Sequence, residues 1–451
     1  MNSETSVDLL PPRLGWNQRT AEDLNQNCFC RSLDFDRLRS QLAAGNDQAQ
    51  ALERWLHDRP HLFASTVVFL SEETAQQIAA CVSAIEHVVH LPAYQQQALA
   101  RSPEIARIDW GPRGVCMGFD FHLDASGPKL IEVNTNAGGL MLNLQLARAQ
   151  RACCEELDWA LSGREPSLEQ VEQDVFEMFL DEWCLQGRSG QPKLVGIVDE
   201  RPSEQYLAPE FVAFQRFFEQ RGLRASVLDV AALTSTDGRL SAEGRPVDLV
   251  YNRLTDFYFE APESQALRAA YLAGSAVVTP HPRAHALYAD KRNLAVLSDD
   301  ALLARWGVEA PWRQTLQRAV PRTELVTPER AEELWARRRT LFFKPAGGYG
   351  AKAAYRGDKL TRRVWEEILR GDYVAQALVA PAARLVEVDG VRADLKFDVR
   401  AYAYAGRVQL LAARIYAGQT TNFRTAGGGF APVVVLPAPE MGRGLGTAQG
   451  M

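Results

Sequence analysis

The chain has 451 residues, enough for roughly two to three units of about 150 residues each. Hydrophobic residues make up 46% and charged residues 24%, the balance of a folded globular protein, and the formal net charge is −6. So mild an acidity gives no bulk field to draw nucleic acid or anionic lipid, and neither is expected as a partner.

No run of about eighteen apolar residues occurs, which argues against a membrane-spanning helix. The N-terminus MNSETSVDLLPPRLGWNQ lacks the basic-then-apolar order of a signal peptide. Among the seven cysteines, Cys28 and Cys30 are one residue apart and Cys153 and Cys154 are adjacent. Neither spacing is a zinc or redox signature, so reduced thiols in a cytoplasm are expected.

Residues 1–109 read as mostly helical, with RSLDFDRLRSQLAAGNDQAQALERWL and EETAQQIAACVSAIEHVVHL both apolar at helical spacing. Residues 110–190 change character. VCMGFDFHL alternates, SGP is a turn and KLIEVNT is a second run, which predicts a two-stranded hairpin. Asp120, Glu132 and Asn134 lie on these runs. Glu132 and Asn134 are two apart and share a face, which Asp120 can reach from the partner strand. Two carboxylates and an amide oxygen form a hard-oxygen set suited to Mg²⁺. A solvent-exposed polar face is the competing explanation. The next stretch, LMLNLQLARAQRACCEELDWAL, reads as helical.

Residues 191–286 alternate strand and helix. KLVGIVDE, LRASVLDV, PVDLVYNRL and SAVVTPHP read as strands around the helix SEQYLAPEFVAFQRFFEQRG, a small open α/β unit with parallel strands. Asp199, Glu200, Asn252, Arg253 and Asp256 fall at strand carboxyl ends, where such sheets place ligands. Solvated loop charges explain them equally well.

In residues 287–440, TLFFKPAGGYGAKAAYRG reads as strand, glycine-rich turn, strand. Gly347, Gly348 and Gly350, with Tyr349 among them, would let N–H groups approach phosphate oxygens. The loop is neither a P-loop nor a Rossmann turn. Lys344 ends an apolar strand and needs an anionic partner there. Helix TRRVWEEILRG and strand DYVAQALV follow, then a meander, LKFDVRAYAYAGRVQLLAARIYAG, turned at Ala405-Gly406. Lys396, Asp398 and Arg400 share one face. Arg414 sits in an otherwise apolar strand, so it must be paired, with Asp398 for example, or serve a ligand. QTTNFRTAGGGFAPV is polar and glycine-rich, and residues 441–451 read as a disordered tail.

In this order the pieces resemble the ATP-grasp superfamily, and glutathione synthetases above all. KPAGGYGAK, Asp398-Val399-Arg400, AARI with Arg414 and Ile415, and TTNFRTAGGG resemble the nucleotide-binding region of the bacterial enzymes. IEVNT before the glycine loop resembles the circularly permuted eukaryotic enzymes. DLVYNRLTDFYFE and HPRAHALYADKRNLAVLSD are similar to their middle portion. The resemblance covers about residues 110–435.

It implies an α/β (α+β) fold: a permuted ATP-grasp with an inserted small open α/β substrate domain. The implied activity is an ADP-forming carboxylate-amine ligase that makes an amide or peptide bond on an amino acid or short peptide through an acyl phosphate. The alternative is a catalytically altered protein serving as an ATP-binding or phosphotransfer module. By the resemblance, Lys291 and Lys344 are the two ATP lysines, and Gly347, Gly348, Tyr349 and Gly350 close over the phosphates. Gln376, Ala377 and Leu378 form the adenine hinge and Asp398 joins the nucleotide site. Arg414 and Arg400 stabilise the intermediate, Mg²⁺ sits on Asp120, Glu132 and Asn134, and the permuted relatives suggest a homodimer. One departure is clear. The eukaryotic glycine loop carries a metal-binding glutamate that is absent here, and Asp120 is expected to replace it. The resemblance assigns no substrate identity and no role to residues 1–109.

Overall fold

Seven strands form the main sheet of the computed structural model, which describes residues 20–43, 49–152, 154–163, 166–348, 353–388 and 390–437. The tail at 441–451 lies outside the described residues. The sheet order is Val68–Ser71, Gly429–Leu436, Arg407–Tyr416, Val391–Tyr404, Met117–Asp124, Gly127–Asn134. The long Val391–Tyr404 strand is shared. Its first half pairs with Ala382–Val388 and its second half with Met117–Asp124.

The expected hairpin is present, turning at Ala125 and Ser126, one residue earlier than SGP implies. Its register slips, so that Asp120 opposes Glu132 while Phe121 opposes Leu130. Ile131 is therefore an extra, bulged residue. The meander turns at Ala405-Gly406 with φ of 48° and 76°. Two consecutive left-handed residues match the twist of a tight hairpin, and glycine takes the second without strain.

Period-two alternation gives the sheet one apolar and one polar face. Phe119, Val399, Ala401, Ala413 and Ile415 pack on Ile78, Val82 and Ile85 of the Glu72–Val89 helix. Each buried Phe, Val or Ile side chain among these contributes about 1.5–3 kcal/mol. Asp120 opposes Arg400 and Asp398 opposes Arg414 on the other face. Further along that face, Tyr402 and Ala412 pack on Phe179 and Phe214 of the Leu168–Leu185 and Ala208–Glu219 helices.

The second unit is a parallel sheet in the order Val277–Thr279, Leu249–Asn252, Val195–Asp199, Ala225–Asp229. A third, antiparallel sheet runs Thr323–Leu325, Tyr373–Ala377, Leu341–Pro345, Tyr355–Arg356. Some expectations change. The helical N-terminal region contains the strand Val68–Ser71, parallel to Gly429–Leu436. The helical run after Gly139 divides into Leu140–Arg148 and Glu155–Ser162. A small sheet of Leu233–Thr236, Arg239–Ala242 and Arg245–Pro246 was not anticipated. Among the described residues no helix is long and apolar enough to cross a membrane.

Two polar side chains seal the sheet's first edge. Asn25 mimics a strand: its Nδ2 donates to Phe69 O at 2.8 Å and its Oδ1 accepts from Phe69 N at 3.0 Å. Such cover keeps an edge from pairing with another chain. Arg384 is fully buried and donates to the carbonyl oxygens of Val67, Asn25 and Cys28 at 3.0, 2.8 and 2.7 Å, and to Thr66 Oγ1 at 2.9 Å. It ties the N-terminal segment to the Ala382–Val388 strand. Arg384→Leu strands these acceptors and should lower the unfolding free energy by roughly 3 kcal/mol or more. Urea denaturation would show the drop in midpoint, and an unchanged midpoint would remove Arg384 from this role.

Candidate functional site

Where the polar face of the main sheet meets the third sheet lies a cavity of about 300 Å³. Asp120, His122 and Glu132 line it from the hairpin, Lys344 and Gln376 from the third sheet, and Arg414 from the meander. Lys291 enters just before the Arg292–Leu297 helix. Phe342, Leu378, Val379 and Tyr416 add apolar surface.

The lysines are set by specific oxygens. Lys344 Nζ donates to Gln376 Oε1 and to Ile131 O, both at 2.8 Å. The bulge matters here, because a bulged residue leaves the ladder and frees polar groups. Lys291 Nζ donates to Gly348 O at 2.6 Å and lies 3.7 Å from Glu132 Oε2.

Asp120 is the hub. Its Oδ1 accepts from Arg400 Nε at 2.7 Å. Its Oδ2 accepts from Arg400 Nη2 at 2.8 Å, Arg414 Nη2 at 2.9 Å and Asn134 Nδ2 at 3.0 Å. Asp398 takes the other side of Arg414, 2.7 Å from its Nε, and accepts from the Thr421 hydroxyl at 2.5 Å. The loop after Asn134 is pinned by Glu210, which accepts from Gly139 N at 2.8 Å and Met141 N at 3.2 Å. Arg253 and Tyr402 hold Ala137 O and Gly138 O at 3.2 and 2.7 Å. A side chain at Gly138 would strike Leu207, whose Cδ1 lies 2.5 Å from the Cβ position.

Most residues singled out in the sequence border this cavity: Asp120, Glu132, Lys291, Lys344, Gly348, Gln376, Ala377, Leu378, Asp398 and Arg414. Asn134 touches it through Asp120 and Glu132, the latter 3.3 Å from its Nδ2. Gly347 faces open space. Tyr349 and Gly350 lie outside the described residues.

Three roles need correction. Arg400 does not line the cavity; it is buried behind Asp120 and positions it. Asp120, the expected metal ligand, already meets four N–H donors, from Arg400, Arg414 and Asn134, on a carboxylate that has about four lone-pair sites. The N–H groups of Ala377 and Leu378 are already donated to Arg322 O and Thr340 O, each at 2.8 Å, so they are not ligand donors in this conformation. Of the parallel-strand residues, Asp256 accepts from the amides of Glu260 and Ala261, and Glu200 pairs with Arg201 at the surface. Asn252 is buried and donates to Pro280 O. Asp199 is buried at its strand end, and burial raises its carboxyl to about 6.

His122, Thr421 and Phe423 also line the cavity and were missed. Period two puts His122 on the Asp120 face, so it was findable. Thr421 and Phe423 lie in an irregular stretch that has no period to read.

No family model matches the chain, and no curated protein does. Solved structures do. A glutathione synthetase-like effector from Globodera pallida in its apo form aligns with a TM-score of 0.54 and 13% identity, covering 89% of this chain and 98% of that one. A putative gamma-glutamylcysteine synthetase from Methylobacillus flagellatus aligns at 0.44 and 12%, over 79% and 86%. The ATP-grasp ligase PsnB with a minimal precursor aligns at 0.30 and 13%, over 54% and 90%. The chain has the ATP-grasp fold.

Electrostatics in this cavity are set by burial against neighbours. Burial raises the carboxyl of Glu132, but Lys291 and Lys344 outweigh it and hold the group below its ordinary value. Burial likewise opposes ionisation of Asp120, and Arg400 and Arg414 prevail. Lys344 goes the other way: burial pushes its ammonium down to about 8, with Glu132 opposing. The ammonium form is therefore present below that pH and lost as pH rises through it. Affinity for an ADP probe should fall up to roughly tenfold per pH unit above about 8. Calorimetric titration of the wild type and Lys344→Met across this range checks it. A flat profile in the wild type, or the same slope in the variant, would exclude Lys344 as the titrating group.

Proposed function

We propose that this chain is an ADP-forming carboxylate-amine ligase that uses Mg-ATP and acts on an amino acid or short peptide. One observation carries the reading: Lys291 and Lys344, on separate segments, converge with Glu132 and Arg414 on one cavity. Both lysines are more than nine-tenths buried. Two such ammonium groups beside one carboxylate call for a polyanion. The cavity is large enough to be a ligand pocket, which typically starts at about 300 Å³. Gln376 Nε2 is buried beside Lys344 with no hydrogen-bond partner, a donor that a ligand acceptor would satisfy.

Glu132 and Asn134 offer hard oxygens that fit Mg²⁺, which keeps several waters and phosphate oxygens in its shell. When bound, the ion would neutralise charge on the transferring phosphoryl group. Asp120 could join only if Arg414 or Asn134 gave up its hydrogen bond. We read the early place of the Asp120 and Glu132 strands, ahead of Lys344, as a permuted order of the fold.

The substrate carboxylate oxygen attacks the γ-phosphorus, the bond to the bridging β-oxygen breaks, and ADP leaves. The amine nitrogen then attacks the acyl carbon, loses its proton, and phosphate departs as the C–O bond breaks. Lys291 and Lys344 hold the phosphates and offset charge on the departing ADP. Arg414, oriented by Asp120 and Asp398, faces the acyl phosphate, and Arg400 keeps Asp120 in place. Gln376 to Leu378, with Phe342 and Tyr416, would receive the adenine. No protein nucleophile is required.

Glu132→Gln replaces a charged metal ligand by a neutral one. ADP formation with amino-acid acceptors should fall by roughly two orders of magnitude or more, with the thermal unfolding curve unchanged. Normal ADP formation in the variant would remove Glu132 from the metal site.

A further inference from the structure

At one edge of the cavity three segments distant in sequence stack into an aromatic wall. Phe423, which lines the cavity, stacks on Tyr206 with ring centroids 5.9 Å apart and planes at 25°. It also packs on Phe430 at 4.6 Å. Tyr206 follows the Val195–Asp199 strand of the parallel sheet and stays 39% exposed. Arg59, at the end of the N-terminal helices, places its guanidinium 4.9 Å from the Tyr206 ring centroid and 5.2 Å from that of Trp55. Trp55 Nε1 fixes the arrangement by donating to Tyr206 O at 3.1 Å.

The wall carries positive charge that nothing on it neutralises. Among the described residues the Arg59 side chain makes one long bond, from Nη1 to Trp55 O at 3.4 Å, and its Nε is buried without a partner. Arg424 adjoins Phe423, is exposed, and acts on the Tyr206 hydroxyl together with Arg59. Among the described residues neither arginine forms an ion pair. The cations that line the cavity are taken, Arg414 by two carboxylates and the lysines by the polyphosphate in the proposed reaction, whereas Arg59 and Arg424 stand just beyond its lining, Arg59 on a neighbouring hollow. Aromatic faces give a flat bed for a peptide plane or an aliphatic stem, and guanidinium groups bind carboxylates through charge-assisted forks.

We infer that this edge is the specificity site, and that it selects a substrate with a free carboxylate remote from its reacting group, held by Arg59 and Arg424 over Phe423 and Tyr206. The inference rests on the ligase reading and narrows it: amino acids or peptides with a free C-terminus are accepted, and their amides are not. It also gives the N-terminal helices a part in substrate choice.

The test measures binding of glycine, alanine, glutamate and glycylglycine, each against its C-terminal carboxamide, by calorimetry on the full chain with Mg-ADP present. At least one free acid should bind roughly tenfold or more tighter than its amide. The preference should shrink in Arg424→Gln and vanish in Arg59→Gln/Arg424→Gln, while ADP affinity stays unchanged. Arg424 is exposed, so its single variant keeps the test sound if Arg59→Gln loosens the wall. No preference in the wild type, including no binding at all, overturns the inference, as does a full preference in the double variant. ADP release is followed in parallel. Preference without ADP release would sink the ligase reading and leave the carboxylate site standing.

Discussion

The Asp120 carboxylate bridges two guanidinium groups inside the protein, and the site is built around that bridge. Arg400 clamps it with two bonds, and Arg414 reaches it while also holding Asp398. Removing a member of such a buried set leaves an uncompensated charge at a cost of several kcal/mol. The bridge also fixes the charge of the cavity. Two carboxylates, Asp120 and Asp398, cancel two guanidiniums, Arg400 and Arg414. The remaining groups are two ammoniums, Lys291 and Lys344, against the single carboxylate of Glu132. The positive excess therefore sits on the lysines, and on the proposed reading a phosphate chain would meet it there.

Backbone register makes the bridge possible. Asp120 and Arg400 are 280 positions apart, yet they are directly paired across neighbouring strands. The alternation that puts Asp398 and Arg400 on the site face sends Val399 and Ala401 into the core. A one-residue slip would exchange the two sets, so the hydrophobic core holds the charges in place. The Ile131 bulge does the converse. It breaks the pattern once, beside Glu132, and the carbonyl of the bulged residue becomes the anchor for Lys344.

Much of this was legible where periodicity is clean. The hairpin, the meander with its Ala405-Gly406 turn and the four parallel strands all alternate or run apolar over enough residues to be read. Val68–Ser71 was not, because four residues leading straight into a capped helix at Ser71 carry no period of their own. Arg384 sits in AARLVEV, where nothing local shows that its partners lie more than 300 positions away. Lys291 stood out only through the family resemblance. The arginine partners of Asp120 were hidden for a related reason. A carboxylate opposite Glu132 on the neighbouring strand reads as a metal ligand, and the two arginines that pair with it come from the far end of the chain.

The N-terminal region, silent in sequence, acquires its meaning from the sheet. An edge strand exposes unpaired amides, and residues 20–71 answer that liability twice: Val68–Ser71 adds itself to the edge, and Asn25 then satisfies Phe69 on the new outer side. Arg384 binds the cover down through carbonyl oxygens of that segment. The same cover continues through the Ala49–His57 helix to Trp55 and Arg59, and so reaches the aromatic edge of the cavity. A segment needed to finish a sheet is thereby placed beside the aromatic edge at which we propose substrate is selected.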